Sequence, residues 1–191
     1  MAKATGATYK VAYRRRRANL TNYLKRLGMI RGETPRLVVR KSGRHILVQV
    51  IKFSPEGDKV VALAHSSELT QHGWMPQSNA PTAYLVGMLA GEKAKKAGEK
   101  GVHLDIGMST PTSGNIGFAA ALGAKDAGLE CPLDMKIDMG RVSGKHIADY
   151  AAKLKGEDAG KFARQFSKYM KASIDVTQLP KLFEGVKAKI K

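Results

Sequence analysis

Five histidines, one cysteine and a strand-borne aspartate are the groups through which this chain of 191 residues could cut a bond or hold a metal. The histidines are His45, His65, His72, His103 and His146; no two stand one helical turn apart, and none neighbours Cys131. That spacing gives no helix face with paired metal ligands and no cysteine–histidine nucleophile. A lone cysteine excludes an intrachain disulfide or a multi-cysteine zinc site and fits a reducing compartment. Asp105, in "HLDIG", closes an apolar run that reads as a strand. A carboxylate late in a strand could anchor a metal in a nuclease-like sheet, but it would need further carboxylates converging on it. Residues 36–52 offer none. The other reading of Asp105 is structural, accepting backbone hydrogen bonds.

A second stretch carries enzyme-like residues: "STPTSGNIGFAAALGAKDAG", Ser109 to Gly128. Its Pro-Thr-Ser-Gly-Asn turn resembles the substrate-carboxylate loop of pyridoxal-phosphate enzymes of the cysteine synthase type. Such chemistry also requires a Schiff-base lysine, a phosphate cradle and two enclosing lobes. The chain supplies neither a glycine-rich phosphate loop nor a second lobe. Small residues at a helix start also serve a simpler end, because the first N–H groups of any helix need partners. On that reading Ala119, Ala120, Gly123 and Ala124 let the helix approach the sheet closely.

The strongest chemical signal is cationic. Lys plus Arg number 33 against 16 acids, a formal net charge of +17. Residues 1–55 hold 14 of the basic residues and a single acid, Glu33, while the remainder is close to balanced. A basic half joined to a near-neutral half points to a polyanion gripped by the N-terminal part. Arg14, Arg15, Arg16 and Arg17 go all round a helix. An amphipathic helix lying on a membrane would instead segregate them onto one face. The series continues through Lys10, Lys25, Arg26, Arg31, Arg36, Arg40, Lys41, Arg44 and Lys52. Arginine forks phosphates and stacks on bases, and Tyr9, Tyr13 and Tyr23 are interleaved where they could stack on unpaired bases. RNA is the implied partner, since no DNA-reading helix is evident.

The elements that must carry these residues follow from periodicity. Residues 1–12 have little apolar content and no structure of their own is expected there. Leu20, Leu24 and Leu27 predict a helix with Gly28 as its stop. The runs Leu37–Arg40 and His45–Lys52, joined at Ser42-Gly43, predict a hairpin. "SPEGD" is a turn and "KVVALAHS" a third strand, with Arg36, Arg40, His45 and Gln49 alternating onto one face. Pro81 suits the start of a helix with Leu85, Met88 and Leu89 as its apolar stripe and Gly98 as its stop. "VHLDIG" is a fourth strand, and a helix from Asn115 to about Ala127 ends at Gly128. The order β-β-β-α-β-α gives an α/β fold with a mixed sheet and packed helices. After Cys131, "CPLDMKIDMGRV" reads as an irregular connection. Helices are predicted over Ser143–Leu154 and Asp158–Met170, capped by Ser143 and Asp158 and separated at Gly156. A short helix follows from Pro180. Trp74 lies in a polar loop, as a core plug or a contact surface. About 150 residues suffice to bury roughly 70% of the unfolded surface, so the core needs no staple. No stretch reaches the length of a signal peptide or a membrane span.

Several blocks, in order, match one family: "YRRRRANLTNYLKR", "PRLVVRKSGRHILVQVI", "AHSSELTQHGW", "APTAYLVGMLAGEKA", "LDIGMSTPTSGNIGFAAALGAKDAGL" and "GRVSGKHIADYA". Through them the chain closely resembles the archaeal form of the large-subunit ribosomal proteins that bind 5S rRNA, number eighteen in the bacterial naming. The resemblance implies a three-layer, ribonuclease-H-like α/β arrangement, with a basic arm over 1–33, an RNA-binding core over 34–131 and a C-terminal helical extension over 132–191. It implies no catalytic activity and no cofactor or metal. The implied partners are 5S rRNA, large-subunit rRNA and neighbouring ribosomal proteins, including number five, with which the family builds the central protuberance of the cytoplasmic ribosome. Carried over by position, the arm contacts are Lys10, Arg14, Arg15, Arg16, Arg17, Thr21, Tyr23 and Arg26. The hairpin contacts are Arg36, Arg40, Ser42, Arg44, His45 and Gln49. Two places depart from the family. Ser42-Gly43 stands where Ser-Asn is usual, and Thr110, Ser113 and Ile116 stand where basic residues are common. The rival functions are an RNA-processing enzyme using Asp105, or an RNA chaperone acting outside the ribosome.

Overall fold

Apolar alternation builds the sheet. In a computed structural model, which describes residues 6–134 and 137–190, Leu37 and Val39 of β1 (Arg36–Lys41) point to the same face as Ile46, Val48 and Val50 of β2 (Ile46–Lys52). Ala62 and Ala64 of β3 (Lys59–His65) extend that buried face. The strand order is β3-β2-β1-β4, with β4 (His103–Asp105) running parallel to β1 and the other pairs antiparallel. This is the expected mixed sheet. Ser42 closes the hairpin: its backbone N–H and its hydroxyl both donate to the His45 carbonyl at 2.9 Å. His45 therefore belongs to the turn, and β2 starts one residue later than the β-branched run suggests.

Two helices cover the buried face. In α3 (Ala80–Lys96), the Asn79 side chain accepts from the Thr82 N–H at 3.1 Å and Pro81 occupies the first turn. In α4 (Ile116–Asp126), Asn115 caps through the Gly117 N–H at 2.8 Å. Gly98 and Gly128, with φ of +85° and +103°, stop the two helices. The expected stripe of Leu85, Met88 and Leu89 is too narrow: every residue from Pro81 to Met88 is buried. The sheet, α4 and the C-terminal helices surround α3, so it has almost no solvent face. The small residues of α4 also serve a different surface from the one expected. A Cβ on Gly123 would lie 2.0 Å from the Tyr84 carbonyl oxygen, and one on Gly87 would lie 1.9 Å from that of Ala120. They permit close approach of α4 to α3 rather than to the sheet.

The C-terminal part is helical throughout: α5 (Met139–Ser143), α6 (Lys145–Glu157), α7 (Ala159–Gln165), α8 (Ser167–Lys171), a 3-10 turn over Val176–Gln178, and α9 (Leu179–Ile190). The connection expected to be irregular up to Val142 includes α5. Gly144, at φ +84°, separates α5 from α6, so Ser143 is no cap. Gly156 lies inside α6. The break falls at Asp158, whose carboxylate accepts from the Gly160 and Lys161 N–H groups as predicted. α9 buries Leu179, Phe183, Val186 and Ile190 on one side. Phe183 meets Trp74 edge-on at 6.2 Å and Tyr84 at 5.3 Å. Trp74 is a core plug, 1% exposed, with its indole N–H donating to Thr82 Oγ1 at 3.0 Å. Full burial of a side chain such as Phe183 stabilises by roughly 1.5–3 kcal/mol.

The N-terminal segment differs in kind. It holds one turn of helix, α1 (Arg14–Arg17), and α2 (Tyr23–Arg31), capped by Asn22 through the Lys25 N–H. Gly28 lies inside α2 and Gly32 follows its end. The predicted leucine stripe is unpacked: Leu20 precedes α2, Leu24 is 83% exposed, and no residue of α2 is buried. Of the unstructured stretch expected at the start, residues 1–5 lie outside the described residues; residues 6–12 hold a turn but no helix or strand.

Candidate nucleic-acid interface

The face of the sheet opposite α3 and α4 carries no helix of the core. Strand register aligns Arg36, Val38 and Arg40 of β1 with Ile51, Gln49 and Leu47 of β2. Val60, Leu63 and His65 of β3 continue the rows on one side, and His103 and Asp105 of β4 continue them on the other. Arg36, Arg40 and Gln49 thus share a face as expected. Its β3 edge is apolar, with Val60 49% and Leu63 42% exposed.

At one end of this face, five charged side chains alternate in sign. Arg26 Nη2 donates to both Asp58 oxygens at 2.9 Å. Arg36 donates to Asp58 at 2.6 Å and to Asp105 at 3.0 Å. Arg40 donates to the Asp105 carbonyl at 3.0 Å and approaches its carboxylate at 3.4 Å. Asp105 also accepts the Gly107 N–H at 2.8 Å. Arg36 is buried, and its Nε has no hydrogen-bond partner among the described residues. It joins β1, β4 and the β2–β3 turn, and through Asp58 it seats α2. The network lines a cleft of about 1080 Å³ between α2, β4 and the chain after α4, walled by Tyr23, Met29, Phe118 and Leu133. Among the described residues, no three His, Cys, Asp or Glu side chains converge into a metal-binding group.

The remaining predicted residues fall into two groups. Arg14, Arg15, Arg16 and Arg17 are exposed, as is Lys10. Arg15 donates to Thr21 Oγ1 at 2.9 Å, and the Tyr13 and Tyr23 rings lie 6.0 Å apart. At the far end of β1, Arg44 projects from the hairpin turn that Ser42 fixes. His45 shares a hydrogen bond with Ser66 Oγ at 3.0 Å and stacks on His65 at 4.9 Å. The structure thus draws Arg26, Arg36 and Arg40 into one network, sets Arg15, Thr21 and Tyr23 on the wall of the same cleft, and leaves the hairpin-turn residues apart. Asp58 and Lys93 are not among the residues singled out from the sequence, and His65 is named there only as a candidate metal ligand or nucleophile. Asp58 was visible only as a turn residue in "SPEGD". Lys93 ion-pairs with Glu68, which in turn accepts from the His65 N–H at 2.8 Å. Burial alone would raise the Glu68 carboxyl; the Lys93 and His65 contacts outweigh it and hold the group below its ordinary value.

The turn before α4 is occupied with its own capping. Asn115 donates to the Thr110 carbonyl at 2.8 Å while its oxygen accepts from Gly117. A family model for the ribosomal large-subunit proteins 60S L5 and 50S L18 matches residues 7–101, which span the arm, the three-stranded meander and α3. The chain is 49% identical over 190 residues to the large ribosomal subunit protein uL18 of Ignicoccus hospitalis, covering 98% of this chain and 93% of that protein. It is 44% identical over 190 residues to uL18 of Metallosphaera sedula, covering 98% and 97%. The chain belongs to this ribosomal family. As a uL18-family member it is a structural component of the large subunit of the cytoplasmic ribosome, with rRNA and ribosomal proteins as partners, and not an enzyme. Asp105 accordingly serves as the counter-ion of two arginines. Among the described residues, no helix is long and apolar enough to cross a membrane.

Proposed function

We propose that this chain binds 5S rRNA and, with the ribosomal protein numbered five, attaches it to large-subunit rRNA in the central protuberance. The observation that carries this reading is the cluster Arg14–Arg17: four exposed guanidinium groups with no carboxylate partner among the described residues, beside an open sheet face. Lys10, Arg14 to Arg17, Thr21, Tyr23 and Arg26 grip the RNA. Phosphate contacts of this kind release counterions and supply most of the affinity. Arg40, Ser42, Arg44, His45 and Gln49, held on rigid strands or a fixed turn, set the register. Arg36, named with them from the sequence, acts by holding Asp58 and Asp105 in place. α2 buries nothing, and a helix of nine residues is marginal alone, so RNA contact completes the ordering of the arm.

The test is binding to 5S rRNA across a salt series with excess tRNA as competitor. Engagement of about six to eight phosphates predicts a slope of log K against log salt of roughly −4 to −7. Tight binding that survives tRNA supports the reading. Binding erased by tRNA, or a slope near zero, overturns it.

A further inference from the structure

The C-terminal helices carry a feature that the arm and the sheet face do not use. From Ala159 to Ser173 the chain has four basic residues and no acid: Lys161, Arg164, Lys168 and Lys171. Their spacing of three, four and three residues puts them on one stripe of a helix. Phe166, at φ −104° and ψ 20°, breaks the chain into α7 and α8, and its own two backbone bonds bridge the break. Its N–H donates to Phe162 at 2.9 Å, and its carbonyl accepts from Met170 at 3.0 Å. The four cations therefore lie over about 15 Å along two successive short helices, Lys161 and Arg164 on α7 and Lys168 and Lys171 on α8. All four side chains are exposed, and only Lys161 has a carboxylate neighbour among the described residues, Asp158 at 3.4 Å.

The opposite side of these two helices is already occupied. Phe162, Phe166 and Tyr169 face the body, where Phe166 meets Phe162 at 5.2 Å and Tyr150 at 6.3 Å. Tyr169 lies beside the Asn79 side chain at the start of α3. The neighbouring Ser78 hydroxyl donates to the Ser42 carbonyl of the hairpin at 3.0 Å. A membrane surface would need an apolar face free to insert, and these helices have spent theirs on the core. They sit toward the β1–β2 hairpin, whereas Arg26 ties the arm to the β2–β3 turn at the other end of the strands. Their cations point away from the aromatic cluster, on the helical side of the sheet rather than the open one.

We propose that the α7–α8 stripe is a second RNA-binding surface, which takes a phosphate backbone of the large-subunit rRNA while the arm and open face hold another RNA. The proposal rests on the 5S rRNA reading only for the identity of that first RNA. It gives the attachment of one RNA to the other a physical second hand.

The test compares the wild-type chain with the variant Lys161→Gln, Arg164→Gln, Lys168→Gln and Lys171→Gln. Each is measured for 5S rRNA affinity and for capture of a large-subunit rRNA transcript by the protein–5S rRNA complex. The expected result is 5S rRNA affinity within twofold of wild type, capture weakened at least tenfold, and a salt slope of capture reduced by about 3. Unchanged capture overturns the proposal, whether the stripe is merely solvated or meets an acidic protein. Equal loss of both activities also overturns it, because the stripe would then be part of the first grip. If the wild-type chain does not hold 5S rRNA, the first reading fails by itself. The two chains are then compared on the large-subunit transcript alone, with the same tenfold criterion. Capture retained by the variant Lys161→Arg, Arg164→Lys, Lys168→Arg and Lys171→Arg separates charge from helix damage. If the glutamine variant does not fold, Lys168→Glu alone must weaken capture measurably.

Discussion

Arg36 donates to Asp105 at 3.0 Å across the parallel β1–β4 pair, and both side chains are buried. Neither group can lose the other without leaving a charge in a poorly hydrated place. Arg36→Gln and Asp105→Asn should each destabilise the fold by about 3 kcal/mol. The double variant should cost clearly less than the two together, because the partners fail as a unit. Chemical denaturation of the four proteins measures this. Additive losses would show that the pair is not coupled.

The close approach of α3 and α4 gives a second expectation. In an unconstrained helix interior, Gly→Ala gains up to about 1 kcal/mol. At Gly123 the added methyl would sit 2.0 Å from the Tyr84 carbonyl oxygen. Gly123→Ala should therefore destabilise by about 1–3 kcal/mol, the ordinary cost of overpacking. A raised thermal midpoint would contradict the close packing.

Grip and register can be separated on the RNA. Arg14–Arg17→Ala should weaken binding to every RNA tried and lower the salt slope by about 3 to 4. Gln49→Ala should weaken only the cognate RNA, by roughly threefold to tenfold, the worth of one hydrogen bond. Competition titrations against tRNA read both. Identical behaviour of the two variants would abolish the distinction.

Glu68 titrates below its ordinary value of 4.5, so its ionised form favours the folded chain. That contribution is complete above the ordinary value and disappears as pH falls through the lower, folded value. Glu68→Gln should therefore flatten the acid limb of the stability profile and leave the alkaline limb unchanged. Unfolding followed between about pH 3 and pH 7 tests it; an unchanged acid limb would remove Glu68 from the account.

Local signals were legible in the sequence where local forces decide. Pro81, Gly98, Asp158 and Gly128 mark helix ends because capping and positive φ are properties of a few adjacent residues. Gly28 misled because α2 buries nothing, so a glycine in its exposed interior costs only about 1 kcal/mol. The full burial of α3 was hidden because its outer side is covered by helices more than fifty residues further along, and periodicity assumes a solvent face. The cationic character of the site was plain from composition. Which arginines are free was not, since the partners of Arg36 lie 22 and 69 residues away. No local pattern announces such pairs.

Asp58 holds Arg26 through both carboxylate oxygens, and Arg26 belongs to a helix with no buried residue to anchor it. A bidentate carboxylate is a close geometric imitation of phosphate. If Arg26 meets RNA as proposed, Asp58 is the protein's own stand-in for that ligand. A phosphate must then first displace Asp58 from Arg26, so the net share of Arg26 in the affinity is smaller than that of the arm arginines with no carboxylate partner among the described residues. On that reading, any polyanion too weak to displace Asp58 leaves the arm seated against the β2–β3 turn.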